Sequence, residues 1–150
     1  MASVPEPSKS EAVLLALFAK LEAIDRPDYA AERNLTDPPE LDSGELAVLY
    51  DGTAEPDDAL LGNQGPFYYR HTAEIDLLVA AADPAERDRR FDALKIALGG
   101  LLDADPTLGG LIEGMTYGQP VNDVERREGA TGVKSATLDL ELSYFSQTRL

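Results

Sequence analysis

The stretch FYYRHTAEIDLLVA, residues 67–80, decides the fold of this chain. Its side chains alternate between two faces. One face carries Tyr69, His71, Ala73, Ile75, Leu77 and Val79, and the other carries Tyr68, Arg70, Thr72, Glu74 and Asp76. A period of two predicts a β-strand with one buried face, and the run from Leu77 to Val79 is apolar on both faces.

A second strand of the same kind is predicted near the end of the chain. Its apolar face consists of Ala136, Leu138, Leu140, Leu142 and Tyr144, and its polar face of Thr137, Asp139, Glu141 and Ser143. Shorter apolar runs predict two further strands, at Leu46–Tyr50 and within Gly114–Asn122. The acidic, aperiodic residues 53–66 and the glycine-bearing residues 124–132 are predicted to be loops.

Two helices are predicted from their start signals and apolar stripes. Ser8 and Glu11 have capping-box spacing, and an apolar stripe then runs to Ile24, which predicts a helix from about Ser10 to Ile24. The second helix begins at Asp83 and Pro84, where Asp is a favourable N-cap and Pro a favourable first residue. Its stripe consists of Phe91, Leu94, Leu98, Leu101 and Leu102, and Pro106 ends it.

The predicted order is helix, strand, strand, helix, strand, strand. We therefore expect an α+β fold with a mostly antiparallel four-stranded sheet and two main helices packed on one face. Residues 10–150 form one domain in this interpretation, and residues 1–9 form a disordered N-terminal tail. The second face of the sheet carries Glu74, Asp76, Asp139 and Glu141, and faces water, a partner or a lumen.

The composition is strongly acidic. The chain of 150 residues has 28 Asp and Glu against 13 Lys and Arg, a net charge of -15. Such a chain repels phosphate backbones at long range. It contains no cysteine, which excludes disulfides and thiolate metal sites. The first ten residues lack an apolar h-region, and no apolar run approaches the ~20 residues that span a bilayer, so we expect neither a signal peptide nor a membrane contact.

The sequence offers little for catalysis. His71 is the only histidine, and its place on the apolar face of a strand predicts a structural role. The chain contains no Gly-x-Ser-x-Gly elbow, and the glycines at 62 and 65 are not followed by the lysine and serine of a phosphate-binding loop. We therefore expect no enzymatic activity, no metal and no cofactor.

Some large apolar side chains are not required by the core pattern and are candidates for an oligomer or partner interface. They are Leu60, Leu61, Phe67, Tyr68 and Phe145. Tyr and Phe outside the core are typical of protein interfaces. The open alternative is that these side chains cover the ends of the core.

Four segments together resemble the phage tail terminator family, also called tail completion or minor-tail-protein-U-like proteins. They are the helix from Ala12 to Ile24, RHTAEIDLLV at 70–79 with Ala81-Ala82-Asp83, the helix from Arg87 to Leu102 with DPTLGGL at 105–111, and KSATLDLELSYF at 134–145. Such proteins occur in tailed phages and in prophage-derived particles. The resemblance covers most of the chain and rests on patterns of helix, strand and turn.

The resemblance implies a ring, commonly a hexamer, at the head-proximal end of the virion tail, made in the bacterial host cytoplasm. The ring ends polymerisation of the tail tube and joins the tube to the head. The implied partners are other copies of the chain, the tail tube protein and the head–tail connector protein, and the resemblance implies no enzymatic activity. DNA passes through such a ring without specific binding, so Glu74, Asp76, Asp139 and Glu141 become candidate lumen-facing acids.

Two other functions remain open on the residues alone. One is a small homodimeric module of ferredoxin-like architecture that holds a ligand or peptide against its sheet. The other is a hydrolase or transferase that uses His71 with a nearby carboxylate.

Overall fold

The structure is a computed structural model that describes residues 5–37, 39–57, 66–125 and 132–150. The helices in these residues are α1 (Lys9–Glu22) and α2 (Pro84–Ala104). The strands are β1 (Tyr29–Arg33), β2 (Gly44–Pro56), β3 (Phe67–Ala80), β4 (Gly114–Tyr117), β5 (Val121–Glu125) and β6 (Val133–Ser146). β3 has the bounds that the sequence predicts.

The described strands form one six-stranded sheet in the order β1-β2-β3-β6-β4, with β5 also paired to β6. β1 runs parallel to β2, and the other pairs are antiparallel. The α+β class is confirmed, but the prediction of four mostly antiparallel strands is wrong because the sheet is mixed and larger. β1 was missed because its five residues, YAAER, lie at an edge and have no apolar alternation. The weak strand predicted at 114–122 is two strands separated at residues 118–120, where Pro120 lacks an amide hydrogen.

β2 is much longer than the predicted Leu46–Tyr50 because a bulge lets it continue. Its register with β3 shifts between Tyr50 and Thr53, and Gly52 has a φ of 67° at this point. Residues 53–56, predicted as loop, are therefore strand. Residues 58–65, most of the rest of that predicted loop, lie outside the described residues, as do residues 1–4 of the predicted tail and residues 126–131.

Replacing Gly52 should destabilise the fold, whereas replacing Gly99 should not. A Cβ atom on Gly52 would lie 1.7 Å from the carbonyl oxygen of Thr72, and the positive φ adds strain. We expect Gly52→Ala to cost at least ~1–2 kcal/mol in urea denaturation. A Cβ atom on Gly99, within α2, would meet nothing within 4 Å, so Gly99→Ala should stabilise the protein by roughly 0.5–1 kcal/mol. Equal effects of the two substitutions would contradict the bulge geometry.

Both helices pack on one face of the sheet, as predicted. The Ser8 side chain accepts a hydrogen bond of 3.2 Å from the Glu11 amide and caps α1. The core lies between the helices and the inward side chains of β3 and β6, and its fully buried members include Leu17, Leu21, Ile75, Leu77, Leu94, Leu98, Leu140 and Leu142. The helices therefore leave the other face of the sheet uncovered.

A small second core covers one end of that other face. Leu46, Val48, Leu78, Ala80 and Val133 are buried together there. Leu35 and Leu41, from the connection between β1 and β2, pack against this cluster together with Tyr50. This packing explains why the sequence becomes apolar on both faces at Leu77–Val79. The rest of the face stays open.

A buried ion triad connects the start of β2 with α2 and with the segment that follows α1. Glu45 is 1% exposed, and its carboxylate accepts hydrogen bonds of 2.8 and 2.9 Å from Arg26, which follows α1. Arg90 of α2 donates a further hydrogen bond of 2.9 Å to the same carboxylate. Burial alone would raise the pKa of Glu45, but the hydrogen bonds and charges of the two arginines outweigh burial and lower it. Glu45 is therefore ionised and fully paired inside the protein.

Candidate interaction surface

The open face of the sheet brings the four predicted acids together. Glu74 on β3 lies directly opposite Asp139 on β6, and Glu141 lies opposite Thr72, one row further along. Asp76 lies in the row on the other side of Glu74. Residues opposite or diagonal in an antiparallel pair are within reach of each other. We call Glu74, Asp76, Asp139 and Glu141 the acidic face.

The carboxyl groups of this face interact with one another. The pKa of Glu74 is raised, first by burial and then by the negative charges of Asp76 and Asp139. The hydroxyl of Thr137 donates a hydrogen bond of 3.0 Å to Asp76. Tyr50, opposite Glu74 on β2, has a raised pKa because of burial and the charges of Asp76 and Glu74. The face therefore holds a concentrated negative potential.

The acidic face reaches solvent. Asp139 and Glu141 are exposed, and Glu74 and Asp76 are half-buried. On the same side of β3, Arg70 lies two rows from Glu74 and makes an ion pair of 3.7 Å with Asp57. This arginine is therefore engaged with another carboxylate at the far end of the face. The alternation in the sequence predicted the shared face, whereas the Glu74–Asp139 register is a property of the fold.

The residues predicted as an interface have different environments. Tyr68 and Phe145 face each other across β3 and β6, with ring centroids 4.9 Å apart, and Phe145 is 42% exposed. Phe67 is buried, and the guanidinium of Arg149 lies 5.1 Å from its ring centroid. Phe67 belongs to neither of the two core clusters, so its place in an interface stays a prediction. Leu60 and Leu61 lie outside the described residues.

His71 is part of the core. Its ring is 2% exposed, Nε2 lies 2.6 Å from the carbonyl oxygen of Asp51, and Nδ1 lies 2.9 Å from the hydroxyl of Tyr144. Because a carbonyl oxygen only accepts, Nε2 carries the hydrogen and Nδ1 accepts from Tyr144. Both ring nitrogens are thus used in structural hydrogen bonds and neither reaches solvent.

Sequence reasoning missed a cleft of about 280 Å³ between α2 and the connection from β4 to β5. Gly99 and Ile96 line it on the helix side, and Tyr117 and Pro120 line it on the strand side. Ile96 is 65% exposed. The sequence indicates this cleft only through the Gly99–Gly100 pair, where the surface of α2 has no side chains. The residues that form the opposite wall, from Tyr117 to Pro120, lie elsewhere in the sequence, so their position beside α2 could not be predicted.

Two features are absent from the part of the chain that the structure describes. No group of three or more His, Asp or Glu side chains is arranged to hold a metal ion. Neither helix combines the length and the apolar character needed to cross a membrane.

Comparison with known proteins finds structural likeness at low identity. No protein-family model and no curated protein matches the sequence. A chain from a solved virion of a native gene transfer agent particle is 14% identical, with a TM-score of 0.43, over 93% of this chain and 96% of that chain. A second solved chain, whose description states no function, has the same TM-score and identity over 88% of this chain and 91% of that chain. At this level the likeness carries no conclusion about function.

Proposed function

We propose that this protein is a non-catalytic tail terminator of a phage or phage-like particle. Copies of the chain form a ring, taken as a hexamer, at the head-proximal end of the virion tail. The ring ends polymerisation of the tail tube and joins it to the head connector. The observation that carries this proposal is the acidic face, which lies on the side of the sheet that neither helix covers.

The two sides of the sheet have different physical roles in this proposal. The helix side supplies the core and hence the stability of each subunit. The acidic face lines the lumen, where DNA has to slide without being held. A negatively charged wall offers no counterion-release affinity to a duplex. The net charge of -15 on each subunit extends the same repulsion to the rest of the ring.

The contacts between subunits and with the tube are assigned to apolar side chains outside the acidic face. Tyr68 and Phe145 form an aromatic pair at the far end of the same strands, and Phe145 is partly exposed. Aromatic side chains are enriched in the buried centres of interfaces. Leu60 and Leu61 remain proposed members of this interface.

Electron microscopy of the protein mixed with assembled tail tubes tests the proposal. We expect a ring at one end of each tube and tubes that no longer elongate when more tube protein is added. Phe145→Ser should weaken ring formation without unfolding the subunit, since this side chain is already 42% exposed. Ile96→Ser, which changes an exposed residue on α2, is the matched control. Tubes that elongate normally and carry no ring would refute the proposal.

The same particles test the lumen assignment. Replacing Glu74, Asp76, Asp139 and Glu141 by lysine should leave the ring visible but slow or block DNA passage, because a basic wall binds the duplex. The control is a variant with four lysines at exposed acids away from the face, Glu6, Glu22, Asp92 and Glu113. Normal DNA transfer by particles that contain the first variant would remove the acidic face from the lumen.

The cleft beside α2 favours one alternative, a small homodimeric module that binds a ligand or peptide. Its volume of about 280 Å³ suits one or two apolar side chains. Sedimentation analysis distinguishes the two functions. A strict dimer at high concentration, with no ring when tail tubes are present, would favour the module. A monomer that forms rings only on tubes would favour the terminator.

A further inference from the structure

The far end of the open sheet face carries an aromatic side chain that the subunit leaves partly uncovered. Phe145 is 42% exposed, and its ring lies 4.9 Å from that of Tyr68 on the neighbouring strand. Phe145 points to the open face because the preceding residue, Tyr144, points into the core. Arg70, two residues from Tyr68 on the same face, has a side chain that is 63% exposed. Aromatic side chains and arginine are typical of the residues that dominate binding at interfaces.

The cleft beside α2 has a size that suits such a side chain. Its floor consists of the buried leucines Leu77, Leu98, Leu102 and Leu138. Gly99 keeps it open on the helix side, because a Cβ atom there would meet nothing within 4 Å. The volume of about 280 Å³ exceeds the roughly 150 Å³ at which an apolar protein cavity already binds benzene. The cleft can therefore accommodate the ring of a phenylalanine.

The charges beside the two surfaces are complementary. Asp103 lies exposed at the cleft, and the hydroxyl of Tyr117 donates a hydrogen bond to it, which orients its carboxylate. Lys95, also at the cleft, lies 3.8 Å from Asp92 and is paired with it. Asp103 is thus placed to receive a cation from another molecule, and Arg70 is the cation beside the aromatic pair. Exposed charge pairs of this kind set orientation more than affinity.

The aromatic pair and the cleft of one chain cannot meet. Phe145 and Leu138 are seven residues apart on β6, which is roughly 23 Å of extended strand. They also point to opposite sides of the sheet, since Leu138 belongs to the core beneath the helices. A contact between the two surfaces therefore joins different copies, and each copy needs one neighbour for each surface. Such a head-to-tail contact produces closed rings or open filaments.

We propose that Phe145 of one copy inserts into the cleft beside α2 of the next copy, and that this contact closes the ring. The inference rests on the proposed ring and identifies the two surfaces that meet within it. Tyr68 covers the mouth of the cleft, and Arg70 pairs with Asp103 of the next copy. Ile96, which is 65% exposed, lies at the rim of the contact. Side chains around a central anchor contribute little, so Ile96→Ser remains the control for Phe145→Ser.

Filling the cleft tests the proposal on tail tubes. Gly99→Leu places a side chain in the cleft and should lower the fraction of tube ends that carry a ring at least about tenfold, because the anchor loses its pocket. Gly100→Leu is the matched control. A Cβ atom on Gly100 also meets nothing within 4 Å, and this glycine lies outside the lining of the cleft. Rings that are equally frequent in the two variants, both shown to be folded by their melting curves, would overturn the proposal.

A photo-crosslink locates the contact directly. The variant Phe145→p-benzoylphenylalanine keeps an aromatic side chain, which on illumination bonds to the C–H groups that it touches. We expect mass spectrometry to find position 145 joined to residues 95–103 or 117–120 of another copy, in a ladder of products beyond the dimer. Cross-links only to other segments, in samples whose tubes carry rings, would overturn this inference and leave the proposed function standing. Tubes on which the wild-type protein forms no ring would refute the proposed function, and this contact with it.

Discussion

Glu45→Gln should destabilise the protein by about 3–5 kcal/mol, the largest effect that we expect from a single substitution. The variant keeps the shape of the side chain but leaves the guanidinium groups of Arg26 and Arg90 near an uncharged amide in the protein interior. The side chain of Glu45 is fully buried, and those of Arg26 and Arg90 are only 20% and 21% exposed, so water replaces the lost charged partner poorly. Urea denaturation at pH 7 measures the loss.

Two comparisons separate the charge effect from packing. Glu113→Gln changes an exposed glutamate and should alter stability by less than ~0.5 kcal/mol. A triple variant with Arg26→Met, Glu45→Leu and Arg90→Met removes every charge of the triad. It should recover most of the lost stability, because apolar replacement of a whole buried ion network is often neutral or stabilising. If Glu45→Gln and Glu113→Gln behave alike, the triad contributes nothing to the fold.

The triad also makes the folding stability of the protein decrease at acid pH. Because the folded pKa of Glu45 lies below its ordinary value of 4.5, the stability that it contributes is present above 4.5 and is lost as pH falls through the lowered value. In Glu45→Gln, the acid-induced loss of stability below pH 4.5 should be smaller than in the wild type.

His71→Ala should cost about 3 kcal/mol. It leaves the Tyr144 hydroxyl and the Asp51 carbonyl oxygen without their partner, and it opens a cavity beside Tyr144. Tyr144→Phe should cost less, since it removes one hydrogen bond only. In a double-mutant cycle the two effects should not add, because both substitutions remove the same bond.

Arg70→Ala is the matched control for His71→Ala, since it changes the preceding residue on the opposite, exposed side of β3. The His71→Ala variant also separates a structural from a catalytic role for this histidine. His71→Ala protein, studied at a temperature where it stays folded, should still form rings on tail tubes. Loss of ring formation in folded protein would require a functional role for His71 that its buried hydrogen bonds do not provide.

Periodicity in the sequence was a reliable guide wherever an element has one buried side. β3 and β6 alternate over their length, and α1 carries both a cap and an apolar stripe, so these elements were predicted from local patterns alone. β1 has no such pattern, since it forms by pairing with β2 at the edge of the sheet. Residues 53–56 resembled a loop because the bulge at Gly52 breaks the alternation that would have marked them as strand.

For the candidate site, the sequence by itself determined which acids share a face, because side-chain direction alternates strictly along a strand. It also determined that His71 points into the core. Only the tertiary structure decided that Glu74 lies opposite Asp139, that Glu45 lies between two arginines, and that Tyr144 donates to His71. Each of these contacts joins residues that are distant in the chain, and strand register and helix packing, which no local pattern specifies, bring them together.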